Sequence, residues 1–210
     1  MPTTAEQLHA LLHRFDKTRL PEIQKAAEAG DPRAQFQLGA LYANGKGVSQ
    51  DSDQALHWLR AAAEQGWVAA QTLLGWCYVQ REGFVHDPSE AHRWYSSAAE
   101  HGDVDAMCAL GDLYAQGAGA IEKNTQAMLH WYQQAANNNH PKAQYMLGKL
   151  LAEGSLVAQN DEAAFQWLSL AIISGSELAQ KELAMLSARV DSETLQDWKD
   201  RMLAQMQPTH

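Results

Sequence analysis

The sequence is short of cysteine, of basic charge and of long apolar runs, and each shortage excludes a class of protein. Two cysteines in 210 residues cannot build a disulfide scaffold and have no metal-ligand spacing around them, so a reducing compartment is expected. Sixteen Lys and Arg against 25 Asp and Glu leave a net charge of −9, which argues against a nucleic-acid binder working through bulk positive potential. The opening MPTTAEQLHALLHRFDKTRL has no basic segment followed by an apolar core, and no apolar run approaches the roughly 18 residues that a membrane span needs. The expectation is a soluble cytoplasmic protein. Catalytic signatures are missing as well: there is no H-E-x-x-H, G-x-S-x-G or Walker loop, and Gly45-Lys46-Gly47 lacks a preceding strand. No enzymatic activity, cofactor or metal is expected. Phenylalanine is scarce too, at four residues beside seven Trp and 14 Gly, and that imbalance calls for a positional explanation.

The explanation is an internal repeat. Leu-Gly pairs stand at Leu38-Gly39, Leu74-Gly75, Leu110-Gly111 and Leu147-Gly148, and Trp58, Trp94, Trp131 and Trp167 keep the same period of 36 or 37 residues. The extra residue falls between Gly111 and Trp131, in a connection between two elements. A third rung runs through Gly30, Gly66, Gly102, Asn139 and Gly175.

Within each unit the apolar spacing is helical twice over. Ala34, Leu38 and Tyr42 lie at i, i+4, i+8, and Ala55, Trp58 and Ala62 at i, i+3, i+7, so a unit reads as two amphipathic helices. Pro32 and Pro141 occupy a first helical position, and Asp51, Asp87, Asn124 and Asn160 share a cap rung. The Gly30 rung sits where helices must end left-handed, and Asn139 is the residue that tolerates this conformation next best. Gly39, Gly75, Gly111 and Gly148 lie inside helices, at a cost of roughly 1 kcal/mol each relative to Ala. With Ala62-Ala63, Ala98-Ala99 and Ala135-Ala136 on the second helices, they predict close helix approach, Trp, Leu and Tyr filling the space beside it. A unit alone would leave an apolar face exposed, so units must stack.

The stretch AQFQLGALYANGKGVSQDSDQALHWLRAAAEQG, from Ala34 to Gly66, and its successors from Ala70, Ala106 and Ala143 resemble the Sel-one-like repeat (SLR) family, a branch of tetratricopeptide-like helical repeats. The resemblance covers about two thirds of the chain. It implies an all-α solenoid, a right-handed superhelix of antiparallel helix pairs, and a role in binding other proteins as adaptor, scaffold or regulator. Some secreted members are cysteine-rich and associated with β-lactam binding; the missing cysteine pairs and signal peptide argue against carrying that activity over. The sequence departs from the pattern where Arg81 replaces the loop glycine of Gly45, Gly117 and Gly154, where Leu156 replaces Gly47 and Leu151 replaces Tyr42, and where Met128 stands at the rung of Ala55. The loops of the second and fourth units are therefore expected to differ.

The reading is one domain of about twelve helices. N-terminal caps occupy 1–31, four repeats 32–175 (about 32–66, 67–102, 103–139 and 140–175), and a degenerate repeat with a cap 176–210. Residues 4–16 carry Leu8, Leu11, Leu12 and Phe15 on one stripe after a Thr4-x-x-Gln7 capping-box signal. Glu177 to Arg189 imitates a first helix with Ala184 on the glycine rung, and the last helix turns Trp198, Met202 and Met206 to one face, a candidate for weak self-association.

The remaining polar residues have modest roles. His9 and His13 at i, i+4 read as surface residues, as do His57 and His130. Cys77 shares a rung with Leu41 and reads as core, whereas Cys108 is placed on an exposed inner face. The functional surface is expected to be the concave groove lined by the first helices. Its candidates are Arg33, Phe36, Ala40 and Asn44; Thr72, Trp76 and Gln80; Asp105, Cys108, Asp112 and Gln116; and Lys142, Tyr145, Lys149 and Glu153. Trp76 stands where other units carry Ala, Asp or Lys, which suits either a binding anchor or a gap filler. The acidic pair Asp105 and Asp112 and the basic pair Lys142 and Lys149 would set a partner segment in register, or simply neutralise one another. The alternative function is a hydrolase, β-lactamase-like, working through the two groove carboxylates.

Overall fold

The computed structural model describes residues 3–80 and 83–206, with the side chains of Gln80, Gln205 and Met206 outside that description. Twelve α-helices account for most of the described residues. They are α1 (Thr4–Arg14), α2 (Leu20–Glu28), α3 (Pro32–Asn44), α4 (Ser52–Glu64), α5 (Val68–Gln80), α6 (Pro88–Glu100), α7 (Val104–Gln116), α8 (Thr125–Asn137), α9 (Pro141–Glu153), α10 (Asp161–Ile173), α11 (Glu177–Arg189) and α12 (Ser192–Met206), with a 3-10 turn at Lys17–Arg19. The one isolated bridge among the described residues, Ala118 with Ile121, sits in the loop that carries the extra residue. The protein is an all-α repeat fold.

Side-chain caps start the helices where the sequence places Asp or Asn. Asp31 accepts from the amides of Arg33 and Ala34, Asp51 from Gln54, Asp87 from Ser89 and Glu90, Asp103 from Ala106 and Asn160 from Ala163; each such cap is worth about 1 kcal/mol. The second helices stop in one recurring way. The amides of Asp31, Trp67, Asp103, His140 and Ser176 each donate to the carbonyl five residues back, across a left-handed residue that is Gly30, Gly66, Gly102, Asn139 or Gly175. Asn139 is the one non-glycine with positive φ among the described residues, at 62°.

The glycines inside the first helices are there because a second helix leaves no room for a methyl group. A Cβ on Gly39 would stand 2.7 Å from Leu59 Cγ and 3.0 Å from its backbone nitrogen, and one on Gly148 would stand 2.7 Å from Leu168 Cγ. On Gly75 it would stand 2.3 Å from Tyr95 Cε1 and 2.5 Å from its Cδ1, a clash with the ring edge. The residue that meets the glycine is thus the neighbour of the rung tryptophan. Leu59, Tyr95, Tyr132 and Leu168 share that neighbouring rung and all are fully buried, while Trp58, Trp131 and Trp167 are only half-buried.

A glutamine rung adds a polar tie. The buried Gln35, Gln71 and Gln144 each donate through Nε2 to a carbonyl at the end of the preceding second helix, that of Ala27, Ala63 and Ala136, at 3.2 Å each. Each of these last-turn carbonyls also accepts from the amide of the left-handed residue three positions on, Gly30, Gly66 or Asn139, so the glutamine occupies a second lone pair.

All four connections from first to second helix close alike, with the amides of Asp51, Asp87, Asn124 and Asn160 donating to the carbonyls of Tyr42, Tyr78, Tyr114 and Leu151. The fourth loop therefore keeps the common closure despite Leu156 and Leu151. It differs locally, since Gly47 has φ 76° and Leu156 does not adopt positive φ. Arg81, the departure in the second loop, lies outside the described residues.

The chain divides into two compact units, Met1–Asn124 and Thr125–His210. In the first, Leu38, Leu41, Leu59, Leu73, Leu74, Tyr95 and Leu110 are fully buried. In the second, Ala164, Phe165, Leu168, Ala171, Leu186 and Trp198 form the core, with Met202 packed against it. Two expectations at the chain's end are corrected. Trp198 is not an exposed apolar residue but is 8% exposed, its ring 5.8 Å from that of Phe165, because α12 lies against α10. Ala184 is exposed, so the small-residue approach of the inner repeats is not repeated there. Met206, the third residue of that proposed face, has no described side chain.

Candidate functional site

In the first unit the face built by α3, α5 and α7 is already covered, and the cover is α1. Its capping box is one residue earlier than the sequence suggested: Thr3 Oγ1 accepts from the Glu6 amide at 3.2 Å and Glu6 Oε2 accepts from the Thr3 amide at 2.9 Å. That frame frees Thr4. Its hydroxyl donates to Asp103 Oδ2 at 2.6 Å, and the next amide, of Ala5, donates to Asp105 Oδ2 at 2.8 Å. Thr4 is fully buried. Two carboxylates on the first turn of α7 thus grip the first turn of α1, where unpaired amides and the positive helix end favour negative charge.

The far end of α1 is held by apolar contact. Leu12 and Phe15 pack against the cluster of Ile23, Ala27, Ala34, Leu38 and Leu41, and Phe15 lies so close to Gly47 that a Cβ there would be 2.4 Å from the ring. Between the two ends a cavity of about 340 Å³ remains, with Glu6, Gln7, Ala10 and Leu11 on the α1 side and Arg33, Phe36, Gln37 and Trp67 opposite.

This arrangement corrects the groove expected from the sequence. Phe36, Thr72, Asp105 and Cys108 are buried, and so is Ala40; Cys108, at 3% exposure, is not on an exposed inner face. Phe36 borders the cavity beside α1 and Asp105 holds the Ala5 amide, because α1, read from the sequence as an end closure, lies along this face. Cys77 is buried as expected, and neither cysteine forms a disulfide. Arg33, Asn44 and Gln116 are exposed, and Trp76 and Asp112 are half-buried. Asn44 turns back to donate to the Ala40 carbonyl at 2.8 Å. Gln80 has no described side chain.

In the second unit Lys142 is exposed and Tyr145 half-buried, the latter packed against the unit's core. Lys149 stands 3.7 Å from Glu153 one turn on, so part of its charge is matched on its own helix. His57 and His130 are exposed and stack edge-on against Trp58 and Trp131, with ring centroids 4.8 and 5.2 Å apart. His9 and His13 are exposed on α1, 5.8 Å apart. A second cavity, of about 490 Å³, is lined chiefly by Phe165, Ile172, Leu183, Met202 and Leu203, and Ile173 and Leu203 on its wall are 64% and 60% exposed.

Burial raises the Asp103 carboxyl above the usual carboxylate range; the Thr4 hydroxyl and the Ala106 amide pull it down, and the Asp105 charge pushes it up. Of the two carboxyl groups meant for a hydrolytic pair, Asp105 is engaged with the Ala5 amide. Sequence reasoning missed both Thr4 and Asp103. Consecutive threonines at 3 and 4 allowed two capping frames, and only the tertiary partner shows which hydroxyl is free to leave its own helix.

The Sel1 repeat family model matches residues 32–67, 68–103, 104–140 and 141–176. A Sel1 repeat protein from Oxalobacter formigenes is 34% identical, with a TM-score of 0.74 over 90% of this chain and 79% of that one. The c5321 protein, a protective antigen of uropathogenic Escherichia coli with an SLR fold, is 31% identical, with a TM-score of 0.75 over 81% of this chain. This chain spans only 36% of that longer protein. Among curated proteins there is no significant match.

A carboxyl with a raised native pKa contributes stability that is complete below its unfolded value and lost as pH rises through the native one. Asp103→Asn keeps an oxygen for the α7 cap. The variant is therefore expected to gain stability relative to wild type as pH rises from about 4 to 7, measured by urea unfolding of both proteins at each pH; a relative loss over that interval would contradict the assignment.

Proposed function

Because the chain belongs to the Sel1 repeat family, whose repeats are generally protein-interaction modules, we propose that it is a non-enzymatic module holding a partner polypeptide on the face of its first helices. The observation that carries the reading is the seating of α1, a polypeptide segment that this face already holds by Asp103 and Asp105. Trp76, Asp112 and Gln116 in the first unit and Lys142, Tyr145 and Lys149 in the second are the remaining candidates on first helices. The engagement of Asp105 with a backbone amide favours binding over the hydrolase alternative. No described helix is long and apolar enough to cross a membrane, and two buried cysteines that form no disulfide support a reducing, cytoplasmic setting.

A photo-crosslinker placed at Gln116 on α7 is expected to capture a polypeptide, while one placed at His57 on α4 captures none. Once that partner is purified, Trp76→Ala should weaken its binding by more than about 1 kcal/mol. Capture from the second helices alone would overturn the reading.

A weaker second reading, self-association, is favoured by Ile173 and Leu203 beside the C-terminal cavity. Sedimentation across concentrations should then show association that Leu203→Lys abolishes, and a strict monomer would remove the idea.

A further inference from the structure

The helix α1 is gripped at its ends and loosely packed along its length. At the start, Thr4 and Ala5 donate to Asp103 and Asp105 at 2.6 and 2.8 Å; at the finish, Leu12 and Phe15 join an apolar cluster. No described side chain of α1 other than Thr4 is buried, and Leu8 and Leu11 stay half-exposed. The cavity of about 340 Å³ under Ala10 and Leu11 is walled by Phe36, Trp67, Arg33 and Gln37, and the buried Trp67 Nε1 has no hydrogen-bond partner. A helix with a larger side chain at the place of Ala10 would fill the space that α1 leaves.

From this geometry we propose that the first-helix face of residues 32–116 is a receptor for one amphipathic helix, and that α1 is its resident, displaceable occupant. The partner is a helix of another protein that begins with Thr or Ser followed by a free amide, for Asp103 and Asp105, and carries a large apolar residue six positions after that hydroxyl. The proposal rests on the reading that first helices form the binding face, and adds what binds there and what must leave first. Being covalently attached, α1 competes at an effective concentration of about millimolar. A displacing helix must exceed this through better packing, and binding would release α1 together with the turn at Lys17–Arg19.

The test uses the full chain and a labelled synthetic peptide of residues 3–15 carrying Ala10→Leu. In the protein, Thr4→Val with Ala5→Pro removes the two donors of α1 while leaving the receptor carboxylates in place, and proline is tolerated in a first helical turn. The unclasped protein is expected to bind the peptide at least about tenfold more tightly than wild type, and adding Asp105→Ala should reverse the gain. Amide exchange should quicken in α1 while α3 to α7 stay protected. Independently, Ala10→Leu within the protein should slow α1 exchange and weaken peptide binding. Exchange of α1 and α3 to α7 as one unit in the unclasped protein, or release of α1 without peptide binding, would overturn the proposal. So would dimers that form only when Thr4 is intact, since the occupant would then be the helix of a second copy. Peptide binding with no partner captured at Gln116 would leave the receptor standing and remove the reading of the function.

Discussion

The helix pairs depend on one steric constraint: at the middle of a first helix, the partner helix comes too near for any side chain. Gly39, Gly75 and Gly148 meet Leu59, Tyr95 and Leu168 at distances that a methyl group could not keep without displacing them. Glycine in a helix forfeits about 1 kcal/mol of propensity relative to Ala, and burial of a large side chain offsets it by roughly 1.5–3 kcal/mol. Everything else in a unit follows from that approach. The alanines of the second helices are small for the same reason, and the glutamine rung can reach the end of the preceding helix because the helices are so close.

Close pairing also determines what the first helices show to the outside. The rung three residues before the helix glycines, Phe36, Thr72 and Cys108, lies beside the close approach, and together with Asp105 it makes an apolar and partly charged surface that is buried in this chain. The segment over it is not a repeat helix: α1 carries no glycine rung and packs little of its length. Its attachment is polar at one end and apolar at the other, the combination expected of a bound peptide rather than a core element. The same residues that terminate the stack thus supply a worked case of how the face takes a helix.

Repeat architecture was plain in the sequence because backbone requirements recur at every period. Gly30, Gly66, Gly102 and Gly175 end helices left-handed, Asn139 substitutes where it can, and the cap aspartates start the next turn; none of this needs tertiary information. The placement of α1 was not readable. An amphipathic stripe of Leu8, Leu11, Leu12 and Phe15 states that a helix must cover something, without stating what. The packing of Trp198 onto Phe165 is a consequence of that kind, fixed by which neighbour an end helix finds. A signal for the clasp was present in Asp103-Val104-Asp105 at the head of α7, but its first carboxylate already had a role as a cap, and its second partner is a backbone amide about one hundred residues away.

The account stands on the glycine approach, and a double-mutant cycle between Gly75 and Tyr95 addresses it most directly. Gly75→Ala alone should destabilise the protein by about 1–3 kcal/mol, as overpacking does. In a Tyr95→Val background, where the ring atoms are gone, the same change should be close to neutral or stabilising through helix propensity, giving a coupling of at least about 1 kcal/mol. Strict additivity of the two changes, or a Gly75→Ala protein more stable than wild type, would contradict the claim that helix approach at this rung governs the fold.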